Sequence, residues 1–178
     1  LVNTLVADNR ASGGGGGLYV AAGGNRLFHT TVVNNDSVEP PMLGKGVQVF
    51  RGSVALTNTI LAGHAVGLYV EGEDTAARLH STLWGNNTDW VSAERGTIES
   101  TRDYTGPCHF RDASGGDYHL GAESAALDRG IDTGVHTDID AHPRPLPVGG
   151  AVDLGADEFT GIDLASSRKT VDPERVEV

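Results

Sequence analysis

The sequence predicts an all-β chain wound as a parallel β-helix, and three observations predict it. A five-residue unit recurs as Val2-Asn3-Thr4-Leu5-Val6, His29-Thr30-Thr31-Val32-Val33, Thr57-Asn58-Thr59-Ile60-Leu61 and His80-Ser81-Thr82-Leu83-Trp84. Anchored on Thr4, Thr31, Thr59 and Thr82, its steps are 27, 28 and 23 residues, a period range typical of stacked repeats. The apolar runs are short, rich in β-branched residues and broken by Gly and Asn, whereas a helical solenoid needs apolar residues at helical spacing over long stretches. Such strands cannot bury their apolar faces alone, but coils stacked on one another can.

The first copy, residues 1–23, runs from Thr4-Leu5-Val6 through Asp8-Asn9 and five glycines, Gly13 to Gly17, into Leu18-Tyr19-Val20. The glycine run is a turn between strands, because no Gly-Lys-Ser/Thr follows it and no helix pattern opens after it. Residues 24–52 repeat the plan, with Asn34-Asn35-Asp36 at the corner and Pro40-Pro41 in a longer loop, where no ladder donor is needed. Gly46-Val47-Gln48-Val49 then matches Gly17-Leu18-Tyr19-Val20. Residues 53–73 are the most compact copy and end in Gly67-Leu68-Tyr69-Val70. Residues 74–96 make a fourth copy, in which Thr88-Asp89-Trp90-Val91 replaces the Gly-aliphatic strand.

Stacking these copies sets Leu5, Val32, Ile60 and Leu83 in one column and Leu1, Phe28, Leu56 and Leu79 in another. Leu18, Val47 and Leu68 form a third, and Val20, Val49 and Val70 a fourth. A small polar column, Asn3, Thr30, Asn58 and Ser81, lies between the first two. From about residue 97 the repeat is lost. The expected organisation is therefore β-helix coils over 1–100, an irregular segment over 101–160 that covers the end of the last coil, and a polar, weakly ordered tail over 161–178. One short helical turn is expected over Glu123–Asp128.

The net charge of −11 argues against nucleic acid as a partner. It fits a solvated exterior. No run is apolar and long enough to span a bilayer as a helix. The one cysteine, Cys108, excludes an internal disulfide framework. The chain starts inside a repeat, so the first coil is expected to contact the rest of a longer chain or like subunits.

The blocks Pro107-Cys108-His109-Phe110-Arg111-Asp112, Gly116-Asp117-Tyr118-His119-Leu120, Ser124-Ala125-Ala126-Leu127-Asp128-Arg129-Gly130, Asp138-Ile139-Asp140-Ala141-His142-Pro143-Arg144-Pro145 and Val152-Asp153-Leu154-Gly155-Ala156-Asp157-Glu158 follow one another over about residues 105–160. In order and spacing they resemble the C-terminal end of bacterial parallel β-helix proteins of the choice-of-anchor Q type. The chain departs from that pattern at Ala125, where Pro is usual, at Ala141, where Gly is usual, and at Asp157, where an aromatic is usual. The resemblance implies right-handed winding, a pectate-lyase-like solenoid, and an extracellular or cell-surface bacterial protein. It implies no defined enzymatic activity.

The best candidate for chemistry is the acidic set Asp138, Asp140, Asp153, Asp157 and Glu158. Ca2+ takes several oxygen ligands, and Asp-x-Asp in a loop presents two carboxylates together, so Asp138, Asp140 and Asp153 are the candidate ligands. The competing reading has these acids capping turns and pairing with Arg144 or Arg129. The histidines are dispersed; His29 and His80 share a column two coils apart, about 10 Å, too far for one metal. His119 is expected to make a structural hydrogen bond. Asn9, Asn35 and Asn87 suit coil corners. Glycosidase chemistry needs two facing carboxylates, which Asp8 and Asp36 on successive coils offer, with Asp89 more distant. Lyase chemistry also wants a base, for which Arg51 and Arg78 are on hand. Tyr19, Tyr69 and Trp84 are candidates for a sugar-stacking strip. The reading favoured is a non-catalytic module for adhesion, spacing or assembly, with polysaccharide or a surface protein as partner. The alternative is a fragment of a polysaccharide lyase or glycoside hydrolase.

Overall fold

The computed structural model describes residues 1–38 and 45–161. The Pro40-Pro41 loop and nearly all of the expected tail lie outside them. The chain is all-β, about half strand, with parallel sheets stacked as a β-solenoid of about four turns. Its strands are β1 (Val2–Ala7), β2 (Arg10–Ala11), β3 (Leu18–Val20), β4 (Gly24–Val33), β5 (Asp36–Ser37), β6 (Lys45–Val49), β7 (Ser53–Ala62), β8 (Val66–Glu71), β9 (Ala76–Gly85), β10 (Thr88–Ala93), β11 (Thr97–Thr105), β12 (Phe110–Asp112) and β13 (Asp117–Leu120).

Each turn gives a long strand to one sheet, in order β1-β4-β7-β9-β11, and a shorter strand to a second, in order β10-β8-β6-β3. Register in the second sheet follows the sequence columns: Leu18 pairs with Val47 and Val47 with Leu68, and Val20, Val49 and Val70 stack likewise. At the corner leading into this sheet a Cβ on Gly17 would come within 2.7 Å of the Gly46 carbonyl, and one on Gly46 within 2.8 Å of the Gly67 carbonyl. Only glycine lets the coils stack that closely there.

In the first sheet the second copy is shifted by one residue from the expected alignment. Leu27, not Phe28, pairs with Leu56, and Thr31, not Val32, pairs with Ile60. The cause is a break in every long strand. Asn3, His29, Asn58, Ser81 and Arg102 adopt φ of 45, 47, 53, 57 and 59°, and each drops out of the pairing ladder. Strict alternation would put Leu56 and Leu61, five apart, on opposite faces. The left-handed residue between them resets the count, so both enter the inner core with Leu27, Val32, Leu79 and Trp84. His29 therefore stacks with Asn58 rather than with His80, which pairs with Thr57.

The coils also run past residue 100. β11 pairs in register with β9 from Thr97↔Ala76 to Thr105↔Trp84. Its Thr, Ser, Asp and Arg residues hide the repeat, but a backbone ladder does not need apolar side chains, and Ile98 still packs on the inner core. Residues 106–161 fold back along the outer face of the first sheet as far as the first coil, where the Tyr118 hydroxyl meets Asp8. Residues 123–128 turn without forming a helix.

A second core explains this path. Val33, Ile60, Ala62 and Leu83 point out of the coil and are buried by Tyr118, Leu120, Ala126 and Leu154. The column of breaks supplies the polar docking. The Asn58 amide donates to the Ile131 carbonyl at 2.7 Å and accepts from its N–H at 3.0 Å. Asn3 donates to the Thr137 carbonyl at 2.6 Å, and His29 Nε2 lies 2.9 Å from the Thr133 hydroxyl. The backbone N–H of Gly155 reaches the Asn58 carbonyl at 2.9 Å.

Candidate functional site

β12 and β13 form an antiparallel hairpin closed by a short 3-10 turn at Ala113–Gly115. Alternation along β13 buries Tyr118 and Leu120 against the solenoid and leaves Asp117 and His119 together on the other side. Asp117 Oδ1 lies 2.5 Å from His119 Nδ1, and Asp140 Oδ2 lies 2.7 Å from His119 Nε2. Burial works against charge on this imidazole, but the hydrogen bond to Asp117 and the nearby carboxylates of Asp157 and Asp140 outweigh it and raise its pKa.

The loop that carries Asp140 is built around Asp138. Asp138 Oδ1 accepts from the N–H groups of Asp140 at 2.9 Å and His142 at 2.8 Å, and Oδ2 accepts from the Glu158 N–H at 3.1 Å. His142 Nδ1 stands 3.2 Å from Oδ2. Burial raises the pKa of this carboxyl, but the three backbone donors more than offset it and leave it lowered. Ala141 takes φ 66°, the left-handed backbone glycine would adopt more cheaply.

Asp157 completes the group. It is 6% exposed, and one of its oxygens accepts from the Leu120 N–H at 2.7 Å. Burial pushes its pKa up to about 6. His119, Asp140 and Asp157 line a cavity of about 180 Å³ together with Leu5, Tyr118 and Ile139. One ligand atom from each of these three residues lies within 4.8 Å of the other two, and the same spacing holds for Asp138, Asp140 and His142.

The proposed Ca2+ ligands are thus only partly united. Asp138 and Asp140 share a loop, but Asp153 belongs to neither group. Asp153 accepts from the N–H groups of Asp128 and Phe159 at 2.7 and 2.8 Å, and burial pushes its pKa up to about 7. Glu158 is wholly buried against Arg144 at 2.6 Å and accepts from two further N–H groups, those of Leu146 and Asp153. Arg129 lies over the Tyr104 ring instead of pairing with this set. An Asp-x-His pattern on a strand was the one signal for the missed Asp117–His119 pair.

The remaining candidates are dispersed. Both oxygens of Asp8 accept from Tyr118 at 2.8 Å, while Asp36 pairs with Arg10 at 3.7 Å on the surface. The corner ladder runs Asn9, Asn35, His64, Asn86, so Asn86 and not Asn87 is its member. Trp84 is inside the coil and donates to Asp103 at 3.0 Å, and Tyr69 is buried under Lys45, so no strip forms with the exposed Tyr19. Burial pushes the Cys108 thiol up to about 11, which leaves it inert near neutral pH.

The chain matches no family model, no curated sequence and no solved structure. No helix among the described residues is long and apolar enough to cross a membrane, which says nothing of β-barrel crossings.

Proposed function

We propose that this chain is a non-catalytic β-solenoid module of an extracellular or cell-surface bacterial protein of the choice-of-anchor Q type, used for adhesion, spacing or assembly. One observation carries this reading: three of the five acids with which the flanking segment could do chemistry are spent as structural acceptors. Asp138 holds three backbone N–H groups, Asp153 holds two, and Glu158 holds Arg144 and two more. They bind the returning segment into one unit on the coils, which suits a stiff spacer. Assembly with like subunits or with further coils is part of this proposal. The test is a panel of acidic and neutral polysaccharides incubated with the chain, read as reducing ends and unsaturated uronates. No product is expected, and turnover would overturn the reading. Light scattering at rising concentration tests assembly; a strict monomer would remove that part.

A polysaccharide-active enzyme is the second reading. It is favoured by Asp140 and Asp157, two carboxyls within 4.8 Å beside a cavity, one of them raised to about 6. A retaining pair of glycosidase carboxyls stands about 5 Å apart, and the raised member serves as the acid. Any activity found should vanish in Asp157→Asn; activity that survives would move the chemistry elsewhere.

A further inference from the structure

The returning segment buries Val33, Ile60 and Leu83, which follow the break in each long strand. Ahead of the break the outer face of the first sheet is different. Alternation that turns Leu27, Leu56 and Leu79 into the inner core turns Arg26, Ala55 and Arg78 outward, and Phe28, Thr57 and His80 with them. Arg26 pairs in register with Ala55, and Ala55 with Arg78. The two arginines therefore stand two coils apart, about 10 Å along the axis, with only a methyl group between them. Both are exposed, and they line an open cavity of about 620 Å³ with Ala55 and Ser53. Among the described residues Arg26 makes no ion pair. Arg78 reaches Glu99 at 3.0 Å, but those side chains are 71% and 70% exposed, and a pair so solvated is easily exchanged for another.

We propose that this groove binds an acidic polysaccharide, with uronate carboxylates on Arg26 and Arg78; the proposal rests on the adhesion reading and names its ligand. The guanidinium decides the class, because its fork of donors matches a carboxylate bidentately, and a neutral sugar would leave both charges unanswered. The span between the arginines is comparable with that between every second uronate of an extended chain. The half-buried column of Phe28, Thr57 and His80 continues in register to Thr101, so the face runs along the axis and fits a polymer better than a single anion. Ser53 and Thr57 bring hydroxyls for the sugar hydroxyls to hydrogen-bond. The net charge of −11 does not forbid this, since salt screens charges beyond about 8 Å at physiological ionic strength and the nearest side chains decide.

The experiment is calorimetric titration of the folded chain with polymannuronate oligosaccharides and with their neutral methyl esters. EDTA is present throughout, so that no divalent cation bridges the polymer to an acidic surface. Binding of the charged form alone is expected, and it should weaken at least about fivefold as salt rises from about 0.05 to about 0.5 M. Arg26→Gln and Arg78→Gln should each weaken it about tenfold, the worth of one exposed charge-assisted contact, and the double variant should abolish it. Arg95→Gln, at an exposed arginine paired with Glu73, should leave it unchanged. Circular dichroism establishes that each variant is folded. No binding by the folded chain overturns the proposal and leaves the non-catalytic reading standing, because turnover tests that. Equal binding of the methyl esters overturns the ligand class, and binding that survives the double variant overturns the site.

Discussion

Acid should destabilise the fold through His29, and the effect can be sized from its surroundings. The ring has no solvent exposure. Nε2 lies 2.9 Å from the Thr133 hydroxyl and 3.0 Å from the Asn58 amide nitrogen. Nδ1 has no hydrogen-bond partner; the Asp153 carbonyl favours the charged ring without closing a bond to it. Burial first and Arg144 second lower the pKa from 6.5 to about 3, with Asp132 opposing. The folded ring thus stays neutral down to about pH 3, while the unfolded ring gains a proton below 6.5. Between pH 7 and pH 5 the unfolded chain gains about 0.7 of a proton that the fold does not, so stability falls on acidification by about 2 kcal/mol from this residue. His64, also lowered by burial, acts in the same direction. Asp153 and Asp157 act in the opposite direction, because their raised pKa values let the fold bind protons first. The total slope is therefore not diagnostic, and the difference between two proteins is. His29→Asn keeps a residue already used at this position by Asn3 and Asn58 and removes the titration. Urea unfolding of both chains at pH 7 and pH 5 should show the unaltered chain losing about 2 kcal/mol more than the variant. Equal losses, within about 0.5 kcal/mol, would refute the assignment of a neutral buried ring.

Three further outcomes follow, two from residues 106–161 and one from the corner ladder of the coils. Gly155 has φ 88°, and a Cβ there would stand 2.6 Å from Thr31 Oγ1 and 2.7 Å from Ile60 Cδ1, so Gly155→Ala should cost about 2–4 kcal/mol; an unchanged urea midpoint would contradict that contact. Arg144→Met leaves Glu158 charged and buried and should cost about 3–5 kcal/mol, of which Glu158→Gln added to it should recover part. If the double variant is no more stable than the single one, the lost pairing is not the cause. Asn35→Ala removes an acceptor for the Asn9 backbone and side-chain amides and a donor to the Val6 and Val33 carbonyls, at roughly 3 kcal/mol. Hydrogen exchange at the Asn9 amide should accelerate, and unaltered protection would count against the ladder.

The second sheet was legible because its strands are short and unbroken. Leu18, Val47 and Leu68 alternate cleanly with the outward Tyr19, Gln48 and Tyr69, and each strand opens on a glycine or its equivalent. The first sheet was legible as a repeat but not in register. The break that resets alternation is filled by Asn3, His29, Asn58, Ser81 and Arg102, five residues that share a backbone conformation and little chemistry. In the second copy the adjacent pair Thr30-Thr31 and the pair Val32-Val33 let the pattern slip by one without loss of likeness. The slip reversed which side chains face the coil interior. Ile60 and Leu83 were expected in the same column as Val32, yet they lie outside the coil, under the returning segment.

That reversal also hid the candidate site. The loss of the repeat suggested only that residues 101–160 cover the end of the last coil, and nothing in the sequence placed them against the first sheet. An apolar outer column of Val33, Ile60 and Leu83 instead draws them back along the side. That path brings β13 against the loop at Asp138 and the irregular run at Asp157. Composition placed five acids in the segment, but which backbone N–H groups each of them meets depends on how the segment packs. Asp138 and Asp153 each have both oxygens taken, whereas the Leu120 N–H takes only one of those on Asp157. Which backbone donor each carboxylate meets is therefore set by packing twenty or more residues away, and a local Asp-x-Asp pattern does not contain it.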